Sequence, residues 1–167
     1  MLVRYYDLEI EVLDEKTRET VAHYQVEYSN LLENGKLVRP SALHGIRVRK
    51  DGKEISSAIL LECNGTTRIH NNSFLIRDNV MFICCSDKVY ALHLPKLNLK
   101  WVESLDRFTS FAIHRFENDF IVHGESTISR VDEEGNIKWE FGGKDIFVNN
   151  NGKKEFEIDG NYIYLTD

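Results

Sequence analysis

The stretch ISRVDEEGNIKWEFGGKDIF, from Ile128 to Phe147, carries the clearest sign of the chain's architecture. It contains an alternating segment, an acidic turn that includes Gly135, and a second alternating segment around Trp139. A similar layout ends earlier at Trp101. Alternation with a period of two indicates strands, and self-similarity at a fixed spacing indicates a repeated unit. The stretch is therefore one copy of a β-repeat.

Each copy begins with two short strands. DNVMFICCSDKVYAL, residues 78–92, has its turn at Ser86-Asp87, and ENDFIVHGESTISRV, residues 117–131, has its turn near Gly124. A third start occurs in IDGNYIYLTD, from Ile158. A period near 40 with about four strands per copy is typical of propeller blades, which bury their faces by stacking. We predict an all-β fold of stacked antiparallel blade-like sheets, with a β-sandwich as the alternative.

The repeats also resemble those of quinoprotein-like and WD40-like β-propellers. The quinoprotein-like blade carries Ala-x-Asp-x-x-Thr-Gly-x-x-x-Trp, and ALHLPKLNLKW matches it at Ala91 and Trp101, whereas SRVDEEGNIKW matches at Gly135 and Trp139. The motif is structural, so the resemblance implies blade-like packing, with the tryptophan as a plug between sheets, and no quinone or other cofactor. Residues 67–147 are also similar to a group of small bacterial proteins of unknown function.

The segment before the repeats, residues 1–70, does not show this pattern. YYDLEIEV and TVAHYQVEY alternate and predict one hairpin, and GIRVRKDGKEISSAILL predicts a second with Asp51-Gly52 as its turn. A short helical turn is expected around residues 29–33. We predict a single domain in which residues 1–70 form N-terminal hairpins and residues 71–167 form repeats with a period of about 38. The recognisable copies are too few for a closed ring, which favours an open stack.

Composition excludes some functions. The chain has 167 residues, a formal net charge of −6 and a pI of about 5.5, which argues against nucleic acid and anionic membranes as partners. No apolar run approaches a membrane span, and the N-terminus lacks a signal-peptide core. The three cysteines, Cys63, Cys84 and Cys85, do not form a disulfide framework, so we expect a cytoplasmic protein with reduced thiols.

Candidate chemistry concentrates in two places. The loop CNGTTRIHNN, from Cys63, is the most donor-rich segment, and HGESTISR places His123 and Glu125 on one strand face. The predicted ligand-binding residues are Thr67, Arg68, His70, Asn71, His123, Glu125 and Arg130. No metal-ligand spacing, nucleophile elbow or phosphate loop occurs, so we expect no metal site and no catalytic residue.

Three functional hypotheses follow. The first is a non-enzymatic protein-binding module whose acidic residues between Asp7 and Glu11 attract a basic partner; an immunity or inhibitor protein against a basic toxin is one version of it. The second is a small-ligand binder or hydrolase that uses the loop at residues 64–72. The third is an accessory subunit or homodimer that pairs through open sheet edges.

Overall fold

A computed structural model describes residues 1–33, 36–143, 146–147, 156–160 and 162–165. Strands dominate these residues, and a single short 3₁₀ helix, Arg18–His23, is the helical element among them. The prediction of an all-β fold is confirmed. The helical turn expected at residues 29–33 is wrong, because these residues lie at and between strand ends. Among the described residues, no helix has the length and apolar character needed to cross a bilayer.

The described strands are β1 (Leu2–Tyr5), β2 (Leu8–Asp14), β3 (Val26–Asn30), β4 (Leu32–Glu33), β5 (Lys36–Leu37), β6 (Ala42–Lys50), β7 (Lys53–Glu62), β8 (Phe74–Arg77), β9 (Val80–Cys85), β10 (Lys88–His93), β11 (Asn98–Ser104), β12 (Ser110–Phe116), β13 (Asp119–Gly124), β14 (Thr127–Val131), β15 (Ile137–Gly142), β16 (Phe156–Asp159) and β17 (Tyr162–Leu165). They form a five-stranded N-terminal sheet, two four-stranded sheets and two two-stranded hairpins.

The N-terminal sheet has the order β1-β2-β6-β7-β3. The hairpin predicted at Asp51-Gly52 is confirmed, since β6 and β7 are antiparallel and both turn residues have positive φ, 51° and 74°. The other predicted hairpin is wrong. Strand β2 pairs with β6, and β3 runs parallel to β7 at the opposite edge. The longer β6 buries Ile46 and Val48 completely, whereas β3 is half-exposed, so β6 is the better partner for the apolar face of β2.

The two four-stranded sheets repeat one design. Each is an antiparallel meander, β8 to β11 and then β12 to β15. The turns predicted at Ser86-Asp87 and near Gly124 join the two central strands of each sheet. The fourth strand of each sheet carries an extra residue, Lys100 in β11 and Lys138 in β15, immediately before the tryptophan of that repeat. Repeated four-stranded sheets are therefore present in the fold.

The sheets stack through two main cores. Met81, Ile83 and Cys85 of β9 pack with the N-terminal sheet, whereas Phe82 and Cys84 on the other face pack with the β12–β15 sheet. The β8–β11 sheet is therefore covered on both faces, and the predicted divergence of Cys84 and Cys85 is confirmed. Burial raises the pKa of both thiols. The β16–β17 hairpin packs on the far face of the β12–β15 sheet. The prediction of stacked antiparallel sheets is confirmed.

Candidate functional site

The loop at residues 63–73 is fixed onto the start of β12. Thr67 is buried, and its hydroxyl lies 2.9 Å from the carbonyl oxygen of Ser110, to which it donates. His70 is exposed, but its Nε2 bonds the carbonyl of Phe111 at 3.0 Å and its Nδ1 accepts from the Asn72 N–H at 3.2 Å. In the neutral ring, these two bonds require the proton on Nε2. The polar groups of Thr67 and His70 are therefore used within the chain.

Arg68 and Asn71 of this loop are exposed and face different surroundings. The loop bonds Asp14 through the Ile69 N–H. Burial raises the pKa of Asp14, but this bond, a bond from His44 and the charges of His44 and Arg68 outweigh it, so the pKa is lowered. Asn71 lines a cavity of about 430 Å³ next to Phe74 and the N-terminal strand. Arg68 thus supports the loop electrostatically, and Asn71 belongs to a separate depression.

His114 and His123 lie against Phe156, next to Phe111, whose carbonyl His70 bonds. The ring of His123 stacks on Phe156 at a centroid distance of 4.7 Å and meets the ring of Phe111 edge-on at 5.8 Å. His114 lies 4.9 Å from Phe156. Burial, followed by the charges of His123 and His70, lowers the pKa of His114 to about 4. The sequence carried no signal for this cluster, because its members come from different strands and a loop.

Glu125 and Arg130 complete the predicted set. The Glu125 N–H donates to Thr109 at 2.8 Å, beside the residues that hold Thr67 and His70. Arg130 donates to Asp119 and Glu117, each at 2.6 Å, and lies 5.0 Å above the Phe116 ring. Bonds to both carboxylates raise the pKa of Arg130. Arg130 lines a different cavity from Asn71, so the predicted residues are divided among several places. A shared ligand-binding role stays a prediction.

The cavity beside Arg130 is an apolar groove between the β12–β15 sheet and β17. It has a volume of about 510 Å³. Its lining consists of Phe116, Ile128, Arg130, Trp139, Phe141, Tyr162, Ile163 and Leu165. Trp139 is 38% exposed, Phe141 52% and Tyr162 71%. Three large aromatic side chains from two strands are thus partly exposed around one groove, and contiguous exposed apolar surface is a common feature of interaction sites.

The groove is lined by β15 and β17, each the last strand in the described order of its sheet. Trp139 and Phe141 lie two residues apart on β15, beyond the bulge at Lys138, and therefore share a face with Arg130 and Ile128, their partners on β14. Within the described part of the chain, β15 pairs only with β14, and β17 pairs only with β16. Each strand thus has one edge without a described neighbour, which is the arrangement that accepts an added strand.

The two tryptophans of the repeat have different surroundings. Trp101 acts as the predicted plug: its Nε1 donates to the Glu133 carbonyl at 2.8 Å, and its ring lies 5.7 Å from Phe82. The Trp139 indole has no hydrogen-bond partner among the described residues. The alternation in NIKWEF is the sequence feature that could have indicated this surface. The repeat predicts that its tryptophan is buried. Whether another segment covers Trp139 depends on how the sheets stack.

The acidic residues of β2 and its preceding turn are compensated within their own sheet. Asp7, Glu9 and Glu11 form ion pairs with Lys50, Arg4 and Arg49 at 2.6, 3.4 and 2.9 Å. The bond and charge of Lys50 lower the pKa of Asp7. This strip is therefore a mixed-charge surface, and its role toward a basic partner stays a prediction.

A buried carboxylate marks another cavity, of about 360 Å³. Glu62 is fully buried and accepts hydrogen bonds from Tyr90 and Lys88. Burial, together with the bond and charge of Glu62, raises the pKa of Tyr90 above its ordinary range. The pairing satisfies both carboxylate oxygens, so the cluster anchors the β7–β10 contact.

Asp106 fastens the turn of the β12–β15 sheet. Its Oδ1 accepts from the N–H groups of Phe108 and Thr109 at 2.7 and 3.0 Å. Its Oδ2 accepts from the Ser126 N–H and hydroxyl and from the Thr127 N–H, at 2.8, 3.0 and 2.8 Å.

Across the described residues, no group of three His, Cys, Asp or Glu side chains is arranged to hold a metal ion.

Comparisons with known proteins give no family. No protein-family model and no curated protein matches the sequence. Among solved structures, the AfRom2 CNH domain is 11% identical with a TM-score of 0.49, over 78% of this chain and 43% of that chain. The computationally designed Ika8 protein is 9% identical with a TM-score of 0.29, over 93% of this chain and 65% of that chain. The chain spans less than half of the CNH domain, and neither similarity carries a functional argument. The resemblance to small bacterial proteins stays a prediction.

Proposed function

We propose that the chain is a protein-binding module and that its docking surface is the apolar groove beside β15 and β17. The main support for this proposal is that Trp139, Phe141 and Tyr162 are exposed around one groove. Apolar area exposed in this way costs free energy in water, at roughly 25 cal/mol per Å². A partner that covers these rings recovers that free energy, and tryptophan and tyrosine are the residues that dominate protein interfaces.

The other candidate surfaces support this choice. The carboxylates around β2 are paired with basic residues of the same sheet, so an incoming cation would have to displace Arg49 or Lys50. The hydroxyl of Thr67 and both nitrogens of His70 already bond the backbone. A ligand at that loop would have to replace these bonds. The apolar groove requires no such exchange, because its rings contact water.

Site-specific photo-crosslinking tests the proposal. The photoreactive residue p-benzoylphenylalanine replaces Phe141 in the full chain, which is expressed in its own cells and irradiated. Tyr6, 86% exposed in the β1–β2 turn, provides a matched control position. We expect one discrete protein adduct from position 141 and none from position 6. Adding Trp139→Ser should remove the adduct, because the central ring of the groove is lost.

The outcomes separate the hypotheses. No adduct from position 141, or an equal adduct from position 6, would refute the groove as the docking surface. An adduct between two copies would assign the groove to a homodimer. A single basic toxin as the adduct would select the immunity or inhibitor version of this function.

A further inference from the structure

Trp101 and Trp139 occupy equivalent positions in two consecutive sheets. Each follows the extra residue of its strand, Lys100 in β11 and Lys138 in β15, and pairs across to the third strand of its sheet. The strand pairing and the position of the bulge are therefore the same at the two sites. The segment that covers Trp101 therefore indicates the kind of segment that would fit over Trp139.

A β-hairpin turn of the following sheet covers Trp101. The turn between β14 and β15, residues 132–136, places the Glu133 carbonyl 2.8 Å from the Trp101 Nε1. Gly135 lies against the indole so closely that an added Cβ would be 2.9 Å from Cδ2 of the ring. The Lys100 ammonium donates to the Glu133 carbonyl at 2.9 Å and to the Glu134 carboxylate at 2.7 Å.

The sheet that follows Trp139 is represented by two strands among the described residues. Strands β16 and β17 pack on the β12–β15 sheet, as the first two strands of a blade would. Within the described ranges, no third or fourth strand extends this hairpin beyond β17. The apolar groove lies on this side, and among the described residues no turn lies over the Trp139 ring as residues 132–136 lie over Trp101.

We propose that the bound partner supplies a β-hairpin that pairs with β17 and lays its turn over Trp139. This inference rests on the proposed function. It specifies the partner's chemistry: a tight turn with a glycine against the indole face and a backbone carbonyl for the Trp139 N–H. The partner's turn needs no acidic side chain. Lys100 is paired with Glu134 of the covering turn, whereas Lys138 is paired with Asp119 of its own sheet at 2.7 Å. The donor is a different protein, since the matching β14–β15 hairpin of a second copy already covers its own Trp101.

The chain's own hairpin is the probe that tests this. A peptide with the sequence of residues 127–142, closed by a disulfide between added terminal cysteines, is titrated into the full chain, because an uncyclised hairpin is marginally stable in water. The chain carries 5-fluorotryptophan, and its two tryptophans give two fluorine resonances. The Trp139→Phe variant assigns them. The control peptide carries Gly135→Val, which blocks the close approach to the indole.

We expect the hairpin peptide to shift the Trp139 resonance saturably below about 1 mM, the weak end of specific binding, and to leave the Trp101 resonance in place. The control peptide should leave both unchanged. If neither peptide moves the Trp139 resonance, or both move it equally, the inference fails. A cross-linked partner at position 141 without peptide binding would refute the hairpin alone. Peptide binding without a cross-linked partner would refute the proposed function and keep the hairpin site.

Discussion

Gly135→Ala tests the contact between the turn and the tryptophan plug. Gly135 has φ of +85°, a region that disfavours residues with a Cβ. The new Cβ would lie 2.9, 3.2 and 3.3 Å from three atoms of the Trp101 ring. The substitution therefore imposes a backbone cost and a steric cost at once. Gly52→Ala is the matched control, because Gly52 has φ of +74° and no atom within 4 Å of its added Cβ.

The two costs can be estimated separately. A residue in the left-handed region costs about 1–2 kcal/mol, and both variants share this term. Carbon atoms pack at about 3.5–4.0 Å, so the nearest contact in Gly135→Ala is short by about 0.6 Å or more. Moving the indole by that amount stretches its 2.8 Å bond to Glu133, which removes about 1 kcal/mol, and the overpacking adds about 1 kcal/mol more. We expect Gly135→Ala to be about 2 kcal/mol less stable than Gly52→Ala.

Urea and thermal unfolding measure this difference. For a chain of this length, about 2 kcal/mol corresponds to about 4–8 °C in Tm. In a Trp101→Phe background the smaller ring leaves room for the Cβ, so the gap between the two alanine variants should shrink. Equal losses in the two glycine variants would refute the steric argument. An unchanged gap in the Trp101→Phe background would show that the indole is not the obstacle.

Three further predictions concern the buried polar groups. The pKa of His114 is about 4 in the folded chain, below its ordinary 6.5, so the unfolded chain protonates first and stability falls as pH falls from 6.5 to 4. Allowing for partial exposure, the share due to His114 is about 2 kcal/mol; urea unfolding across this pH range should show His114→Leu losing about that much less stability than the parent chain, and His93→Leu losing as much as the parent. Asp106→Asn places an amide among five donated hydrogen bonds and should cost about 3 kcal/mol in urea unfolding; a loss below about 1 kcal/mol would contradict the bonding. Glu62→Gln leaves the Lys88 ammonium without its buried carboxylate and should cost about 3 kcal/mol, whereas adding Lys88→Met should restore part of that loss in a double-mutant cycle.

Local pattern was enough for the strands whose partners are adjacent in sequence. The Asp51-Gly52 turn and the two four-stranded meanders follow from alternation and turn chemistry, because each strand pairs with its neighbour along the chain. The pairing of β3 with β7 could not be read this way. The two strands are parallel, and the chain must pass from β2 to the opposite edge of the sheet to form the pair. Which distant strand β3 joins depends on the apolar surface that the pairing buries.

The candidate site divides along the same line. Composition identified the polar loop at residues 64–72, but it could not show that Thr67 and His70 bond the backbone of β12. Whether a polar side chain is available to a ligand depends on partners that lie far away in sequence. The histidines around Phe156 were brought together by sheet stacking alone.

Side-chain period and spacing along the chain are enough to specify the all-β class, the repeat and the equivalence of the two tryptophans. The difference between the two positions arises only when the sheets stack. Trp101 is covered by a turn from the next sheet, and Trp139 borders an open groove. Burial depends on a pair of sheets and not on one strand, so the same residue at the same strand position is a core plug where a neighbouring hairpin packs on it and an exposed surface where none does.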